Sequence, residues 1–186
     1  MVFNAVLDAS VLYPLPLRDT LLRVAEAGLY EPCWSERILE EATSNLIADG
    51  RATTAQAQNM RDAMHGAFDL AAVPTDEIIL LEPRMTNDPK DRHVLAAAVA
   101  GDAQVVVTLN LRDFPPAACE PFGIQPIHPG TFLLDLYSLR PDAVYEAIER
   151  QVSVLSRPPM TIDELLGRLA KTVPNFAQAL QAHHPS

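Results

Sequence analysis

An alanine-rich segment followed at once by a valine-rich segment is the feature of this sequence that most constrains its fold. In residues 87–101, Asp88 predicts an N-cap, Pro89 the first helical position and Gly101 the helix end. Residues 104–109 (QVVVTL) form the clearest predicted strand, because β-branched side chains favour extended structure. A helix with a face of small residues that leads into such a strand is typical of an α/β fold with a mainly parallel sheet.

The same alternation of strands and helices extends through the first two thirds of the chain. Helices are predicted over residues 18–27, after Ser35 as N-cap, and after Thr53 or Thr54 through Met64. Short apolar runs predict the strands, and Pro126 places the last of them at a sheet edge. These runs are 2–7, 29–34 and 124–127, with 70–73 and 78–81 as further candidates of which 70–73 is the better.

Beyond about residue 128 the strand signals stop. Apolar residues at helical spacing then predict four helices, over residues 131–137, 142–155, 162–170 and 176–182. We therefore expect an α/β domain in residues 1–128 and a C-terminal helical extension in residues 129–186.

Composition limits the class of protein. With 24 acidic and 14 basic residues the formal charge is −10, which argues against a protein that holds nucleic acid through bulk positive charge. The two cysteines, Cys33 and Cys119, lack the spacing of a zinc site and are expected to be buried thiols. Neither a signal peptide nor an apolar run of membrane-spanning length is evident, so we expect a cytoplasmic protein without a membrane partner.

Acidic side chains follow the strongest predicted strands. Asp8 ends the first strand and Asp113 lies in the loop after the valine-rich strand, while Asp91 and Glu41 lie on helices. In a parallel sheet, the loops at the carboxyl ends of the strands meet, so these acids could share one rim. Clustered carboxylates repel unless a cation neutralises them, and all-oxygen ligands suit Mg²⁺ or Mn²⁺. Taken singly, each acid could equally be a cap, a turn residue or a solvated helix face.

Four segments together resemble the signature blocks of PIN-domain proteins, and in particular the VapC-type toxins of bacterial toxin–antitoxin systems. The resemblance covers roughly residues 2–128, and the helical extension is similar to one found in a branch of these toxins. The four segments are 7–12 (LDASVL), 35–41 (SERILEE), 87–98 (NDPKDRHVLAAA) and 106–115 (VVTLNLRDFP).

The resemblance implies a PIN-like three-layer fold and an endoribonuclease of a type II toxin–antitoxin system that depends on Mg²⁺ or Mn²⁺. It implies Glu41 rather than Glu40 as the helix glutamate, and it leaves Asn110 as the alternative to Asp113 at the fourth position. The implied metal-binding and catalytic residues are Asp8, Glu41, Asp91 and Asp113, with Ser10, Asp88 and Asn110 in support.

Further residues and partners follow from the same resemblance. Lys90, Arg92 and Arg112 flank the implied site and are candidates for RNA phosphate contacts. His93 lies close to Asp91 on the same predicted helix. A helical side chain beside an inward-facing acid is expected to point away from the site, so we interpret His93 as non-catalytic. Trp34 is expected in the core rather than stacked on a base. The implied partners are an RNA substrate and a cognate antitoxin protein, and a homodimer is compatible with the sequence.

Three other functions stay open at this point. One is a housekeeping PIN-type nuclease without an antitoxin. Another is a metal-dependent phosphatase of the haloacid-dehalogenase kind, although that family places a second Asp where this chain has Ser10. The third is a binding module whose acidic residues have no catalytic role.

Overall fold

Two compact units make up the part of the chain that the structure describes. The structure is a computed structural model and describes residues 2–154 and 159–183. The first unit contains residues 2–13 and 31–127, and the second contains residues 14–30 together with the described residues from 128 onward. Within the described ranges, no helix combines the length and hydrophobicity that crossing a bilayer requires.

A four-stranded parallel sheet forms the centre of the first unit. Its strands are β1 (Asn4–Leu7), β2 (Glu31–Cys33), β3 (Val105–Val107) and β4 (Gln125–Ile127), in the order β2-β1-β3-β4. Leu7 of β1 is in register with Val107 of β3, so the residues that follow these strands are neighbours. The chain passes from β1 to β2 on one side and enters β3 on the other, which makes the β1–β3 boundary a topological switch point.

Seven α-helices of the described chain lie in the first unit or precede its second strand. Ser35 caps α3 (Glu36–Ala48) as predicted, by accepting a hydrogen bond from the Ile38 amide. Of the two residues predicted as possible caps of α4 (Thr54–Ala67), Thr53 is the cap, and it forms a capping box with Gln56. Their bounds are α1 Ala9–Leu12, α2 Leu15–Glu26, α3 Glu36–Ala48, α4 Thr54–Ala67, α5 Thr75–Leu81, α6 Arg92–Ala100 and α7 Pro116–Cys119, with short 3-10 helices at Glu82–Arg84, Leu111–Asp113 and Glu120–Phe122.

The alanine-rich helix α6 packs on the sheet and completes the core of this unit. Its residues 94–98 are fully buried, as are Val106 and Val107 of the strand that it leads into. Small side chains allow this close approach. Gly101 continues the contact, since a Cβ there would lie 2.9 Å from a methyl carbon of Val73. Trp34 is also buried, which confirms its predicted place in the core, and Phe114 is buried as well.

The start of α6 differs from the prediction. Asp88 does not cap the helix; its Oδ1 accepts a hydrogen bond from the Lys90 amide, and its carbonyl accepts one from Asp91. These bonds close a turn before the helix, so the N-cap is Asp91 and Pro89 lies outside the helix.

Two short apolar runs also differ from a strand prediction. Residues 78–81 belong to helix α5, in which Ile79 and Leu80 are exposed. The apolar run therefore does not form a buried strand. Residues 70–73 reach the sheet only through an isolated bridge between Ala72 and Trp34. In contrast, the strand that was predicted to lie at a sheet edge is β4, which is an edge strand. It contains Pro126, and the absence of an amide hydrogen is tolerated at an edge.

The second unit is helical. Four helices were predicted beyond residue 128 and four are present, α8 Pro129–Leu139, α9 Pro141–Val154, α10 Ile162–Leu169 and α11 Pro174–His183; the predicted helix end at Leu155 lies outside the described residues. Helix α2 belongs with them, since buried Thr20 donates a hydrogen bond to Gln151 of α9. It begins at Leu15 rather than at Arg18, because Pro16 is tolerated in a first helical turn.

Together these elements confirm the predicted α/β class with a helical extension. The division into residues 1–128 and 129–186 stays a prediction, and it leaves out the grouping of residues 14–30 with the second unit.

Candidate active site

The ends of β1 and β3 place a buried carboxylate at the switch point of the sheet. Asp8 follows β1 directly and is 3% exposed. Its Oδ2 accepts hydrogen bonds from the Ser10 hydroxyl at 2.6 Å and from the Thr108 hydroxyl at 2.8 Å. Both hydroxyl oxygens in turn accept backbone amides, from Leu109 and Asn110 respectively. The carboxylate is therefore held in one orientation, and its other oxygen, Oδ1, is the one left for a ligand.

All four acidic residues singled out from the sequence line one cavity in the first unit. The cavity has a volume of about 1070 Å³ and opens to solvent. It also receives Ser10, Asn110 and Lys90 from the predicted set, whereas Asp88, Arg92 and Arg112 are described but are not among its lining residues. Its walls are formed by Asp8, Ala9, Ser10, Tyr13, Arg37, Glu40, Glu41, Ser44, Asn45, Asp49, Lys90, Asp91, Asn110 and Asp113.

Asp91 carries the strongest sign of crowded negative charge. Burial, and after it the charges of Asp8, Asp113 and Asp88, raise the pKa of this carboxyl to about 6, against a smaller lowering by His93. Like charges that raise a pKa in this way indicate carboxylates close enough to favour a proton or a cation between them.

The pKa of Glu41 is shifted in the opposite direction. Burial acts to raise its pKa, but the contacts and charges of His93 and Arg37 outweigh burial and hold the pKa below its ordinary value. Its Oε1 lies 3.1 Å from Nε2 of His93 and 3.4 Å from Nε of Arg37, whose Nη1 lies 3.2 Å from Glu82. Glu41 therefore stays ionised at neutral pH.

His93 is buried beside Glu41 and does not line the cavity. Its side chain is 1% exposed. Within the described part of the chain neither ring nitrogen makes a regular hydrogen bond, although Nε2 lies 3.1 Å from Oε1 of Glu41. His93 thus lies behind Glu41, away from the cavity. Its interpretation as a non-catalytic residue stays a prediction.

The three predicted RNA-contact residues occupy different settings. Lys90 lines the cavity and its amide is fixed by Asp88. Arg92 donates from Nε to the Asn87 carbonyl at 3.3 Å. Arg112 has a side chain that is 90% exposed, 3.6 Å from Asp113.

Sequence reasoning missed several residues that line the cavity, and it missed Thr108, which supports Asp8 without lining the cavity. Thr108 could have been found, because the strand that contains it was predicted and its register with β1 places it opposite Asp8. Arg37 stands four residues before Glu41, the spacing of neighbours on a helix surface. Tyr13 and Asn45 carry no local signal, since they reach the cavity only through the fold.

The site residues are suited to a metal ion by their chemistry but do not form a closed cage. Among residues 2–154 and 159–183, no three histidine, cysteine or carboxylate side chains are arranged to hold a metal ion by themselves. Mg²⁺ commonly keeps several waters and uses one or two protein carboxylates, so an open oxygen-lined site matches its requirements.

Comparison with known proteins identifies the family. Residues 4–112, more than half of the chain, match the PIN domain. The chain belongs to the PIN domain family. Residues 129–182 of this PIN-domain protein match a second family, described as the VapC50 C-terminal domain. The resemblance to PIN-domain and VapC proteins that the four sequence segments carry is thereby confirmed.

A curated relative supports the same assignment over part of the chain. The protein named "Putative ribonuclease VapC50" of Mycobacterium tuberculosis (strain ATCC 25618 / H37Rv) is 44% identical over 102 residues. The match covers 55% of this chain and 60% of the relative, which is less than two thirds of the relative's length. No solved structure matches the chain.

Proposed function

We propose that this PIN-domain protein is an endoribonuclease that requires Mg²⁺ or Mn²⁺ and acts as the toxin of a type II toxin–antitoxin system. The observation that carries the proposal is the single cavity at the β1–β3 switch point, which Asp8, Glu41, Asp91 and Asp113 line from four separate elements. The family and the name of the relative supply the reaction class, hydrolysis of RNA.

The residues of the cavity fit a divalent cation in donor chemistry. Asp8 would offer Oδ1, because its Oδ2 is engaged by two hydroxyls. Glu41, Asp91 and Asp113 would be the further oxygen donors, with Asn110 as the alternative to Asp113. When bound, the ion would lower the pKa of a bound water and neutralise charge on the phosphodiester under attack.

The chain's own residues prepare the site for that chemistry. Ser10 and Thr108 fix the Asp8 carboxylate, so little reorganisation is needed when a ligand arrives. Asp91, whose pKa burial and the neighbouring carboxylates raise to about 6, is mostly deprotonated at neutral pH, and in mild acid a proton would compete with a cation for it. Glu41 stays anionic through its contacts with His93 and Arg37. Lys90, on the cavity wall, is placed to hold an RNA phosphate.

A fluorogenic RNA assay tests the proposed activity. We expect cleavage in Mg²⁺ or Mn²⁺, loss of cleavage in EDTA, and loss of at least about a hundredfold in kcat for Asp8→Asn. Asp69→Asn is the matched control, because Asp69 is exposed and lies outside this cavity. Cleavage that survives EDTA, or that is unchanged in Asp8→Asn, would exclude the proposed metal-dependent nuclease.

The toxin role has its own test. Induction in a bacterial host is expected to arrest growth, and co-expression of the adjacent reading frame, the expected antitoxin, is expected to restore it. RNA cleavage in vitro without growth arrest would instead indicate a housekeeping nuclease. We further propose a cytoplasmic location, where the RNA substrate lies, and light scattering of the purified protein will show whether it is a homodimer.

A further inference from the structure

The cavity continues well beyond the four acidic residues, along one side of helix α3. Arg37, Glu41 and Asn45 line it at intervals of four residues, and Asp49 follows at the helix end. This interval returns side chains to the same helix face. From Glu41 to Asp49 the helix rises about 12 Å, which is more than one nucleotide of RNA occupies along a strand. The cavity volume of about 1070 Å³ also exceeds what a phosphate group and a metal ion fill.

An aromatic side chain stands at the far end of this cavity. Tyr13, immediately after α1, donates a hydrogen bond from its hydroxyl to Oδ2 of Asp49. The guanidinium carbon of Arg51 lies 5.2 Å from the centre of the Tyr13 ring. These two contacts fix the ring at the cavity wall.

The composition of this end differs from that of the acidic end. Between Glu41 and Tyr13 the wall presents the exposed neutral polar side chains of Ser44 and Asn45. An RNA phosphate would meet the carboxylates of Glu40 and Asp49 on this wall. A base carries no charge, can stack on a tyrosine ring, and can exchange hydrogen bonds with an amide side chain.

We propose that Tyr13 and Asn45 form a subsite for one RNA base next to the cleaved phosphodiester, and that it selects the sequence at which the chain cuts. Tyr13 supplies the stacking surface, and the Asn45 amide, with one acceptor and two donors, contacts the edge of the base. The inference rests on the proposed function, because it assigns to this end of the cavity a part of the same RNA substrate.

Cleavage of a randomised RNA pool, followed by sequencing of the new ends, tests the subsite. The wild-type protein is expected to prefer one base at a fixed position beside the cut. Tyr13→Ala is expected to weaken this preference and to raise KM about tenfold with a smaller change in kcat, whereas Tyr13→Phe, which keeps the ring, is expected to retain most of it. Asn45→Ala is expected to alter which base is preferred. Asn59→Ala, an exposed amide on α4 away from the cavity, serves as the control.

The outcomes separate this inference from the proposed nuclease activity. If the wild type cleaves and both Tyr13→Ala and Asn45→Ala cut the same positions with unchanged KM, the subsite is refuted while the nuclease stands. If those variants cut like the wild type but escape inhibition by the antitoxin, the cavity end binds a protein segment and the inference is equally refuted. If the wild type does not cleave, anisotropy of a fluorescein-labelled RNA decides, since binding unaffected by either variant, or absent, refutes the subsite. Should Tyr13→Ala lower the melting temperature strongly, Asn45→Ala carries the test.

Discussion

Asp91→Asn is predicted to stabilise the metal-free protein, although it removes a residue of the proposed site. The raised pKa of Asp91, about 6 against an ordinary value of 3.8, means that the folded state holds its charged form unfavourably. A difference of about two pKa units corresponds to about 3 kcal/mol at neutral pH. Because the side chain is partly exposed and its charge partly screened, we take about half of that.

One opposing contribution has to be subtracted. Asp91 is the N-cap of α6, where a negative charge interacts favourably with the helix dipole by about 0.3–1 kcal/mol. Its side chain makes no capping hydrogen bond within the described residues, so asparagine loses none. Relief of repulsion therefore wins, and the expected gain in the free energy of unfolding is about 1 kcal/mol.

The free energy of unfolding is expected to depend on pH in a defined direction. Between pH 4 and 6 the folded wild type binds more protons at Asp91 than the unfolded chain does, so its stability falls as the pH rises. The Asp91→Asn gain should be complete near pH 7.5 and absent near pH 4. Urea unfolding in EDTA at both pH values measures it, with Asp69→Asn as the control, and Mg²⁺ should then stabilise the wild type more than the variant. A variant that is less stable than the wild type at pH 7.5 in EDTA would refute the reasoning.

Three further predictions concern positions around the cavity and the core. Thr108→Val leaves the buried Asp8 without one hydroxyl and should lower the free energy of unfolding by about 1–3 kcal/mol and weaken Mn²⁺ binding by calorimetry, whereas Thr108→Ser should retain both. Gly101→Ala places a methyl group 2.9 Å from a valine carbon and should cost about 1–3 kcal/mol in thermal unfolding, while Gly66→Ala, in open space, should cost nothing. Cys33, whose thiol pKa burial raises to about 11, should react with a maleimide at pH 7 only in denaturant; rapid labelling of the native protein would contradict this.

The elements that the sequence predicts well are those whose signals are local. Ser35 and Thr53 cap helices because a hydroxyl three residues before an amide can satisfy it wherever the chain lies. The strand at Val105–Val107 follows from β-branched side chains alone. Asp88 was assigned wrongly because an aspartate before a proline suits both an N-cap and a turn, and only its bond to the Lys90 amide distinguishes the two.

The acidic end of the cavity could be proposed from the sequence because parallel strands bring their carboxyl ends to one edge of the sheet, where Asp8 and Asp113 could meet. That they follow neighbouring strands is a result of the strand order, which the sequence does not give. The far end of the cavity could not be proposed in this way. Tyr13 reaches the cavity only because α1 turns back towards the end of α3, where its hydroxyl meets Asp49, a side chain 36 residues away in the sequence. Local patterns therefore indicate where chemistry is placed, while residues that would choose a substrate depend on contacts between distant segments.

The net charge of −10 takes on a more specific meaning in the cavity. Six acidic and two basic side chains line it, and Arg37 is already engaged by Glu41 and Glu82, so RNA entering the site without a cation meets net repulsion. Affinity for RNA should therefore increase with the concentration of Mg²⁺. In an ordinary nucleic-acid-binding protein, by contrast, rising concentrations of monovalent salt weaken the affinity. That opposite dependence on the two kinds of ion, rather than the charge itself, is what distinguishes a cation-dependent nuclease from a basic RNA-binding protein.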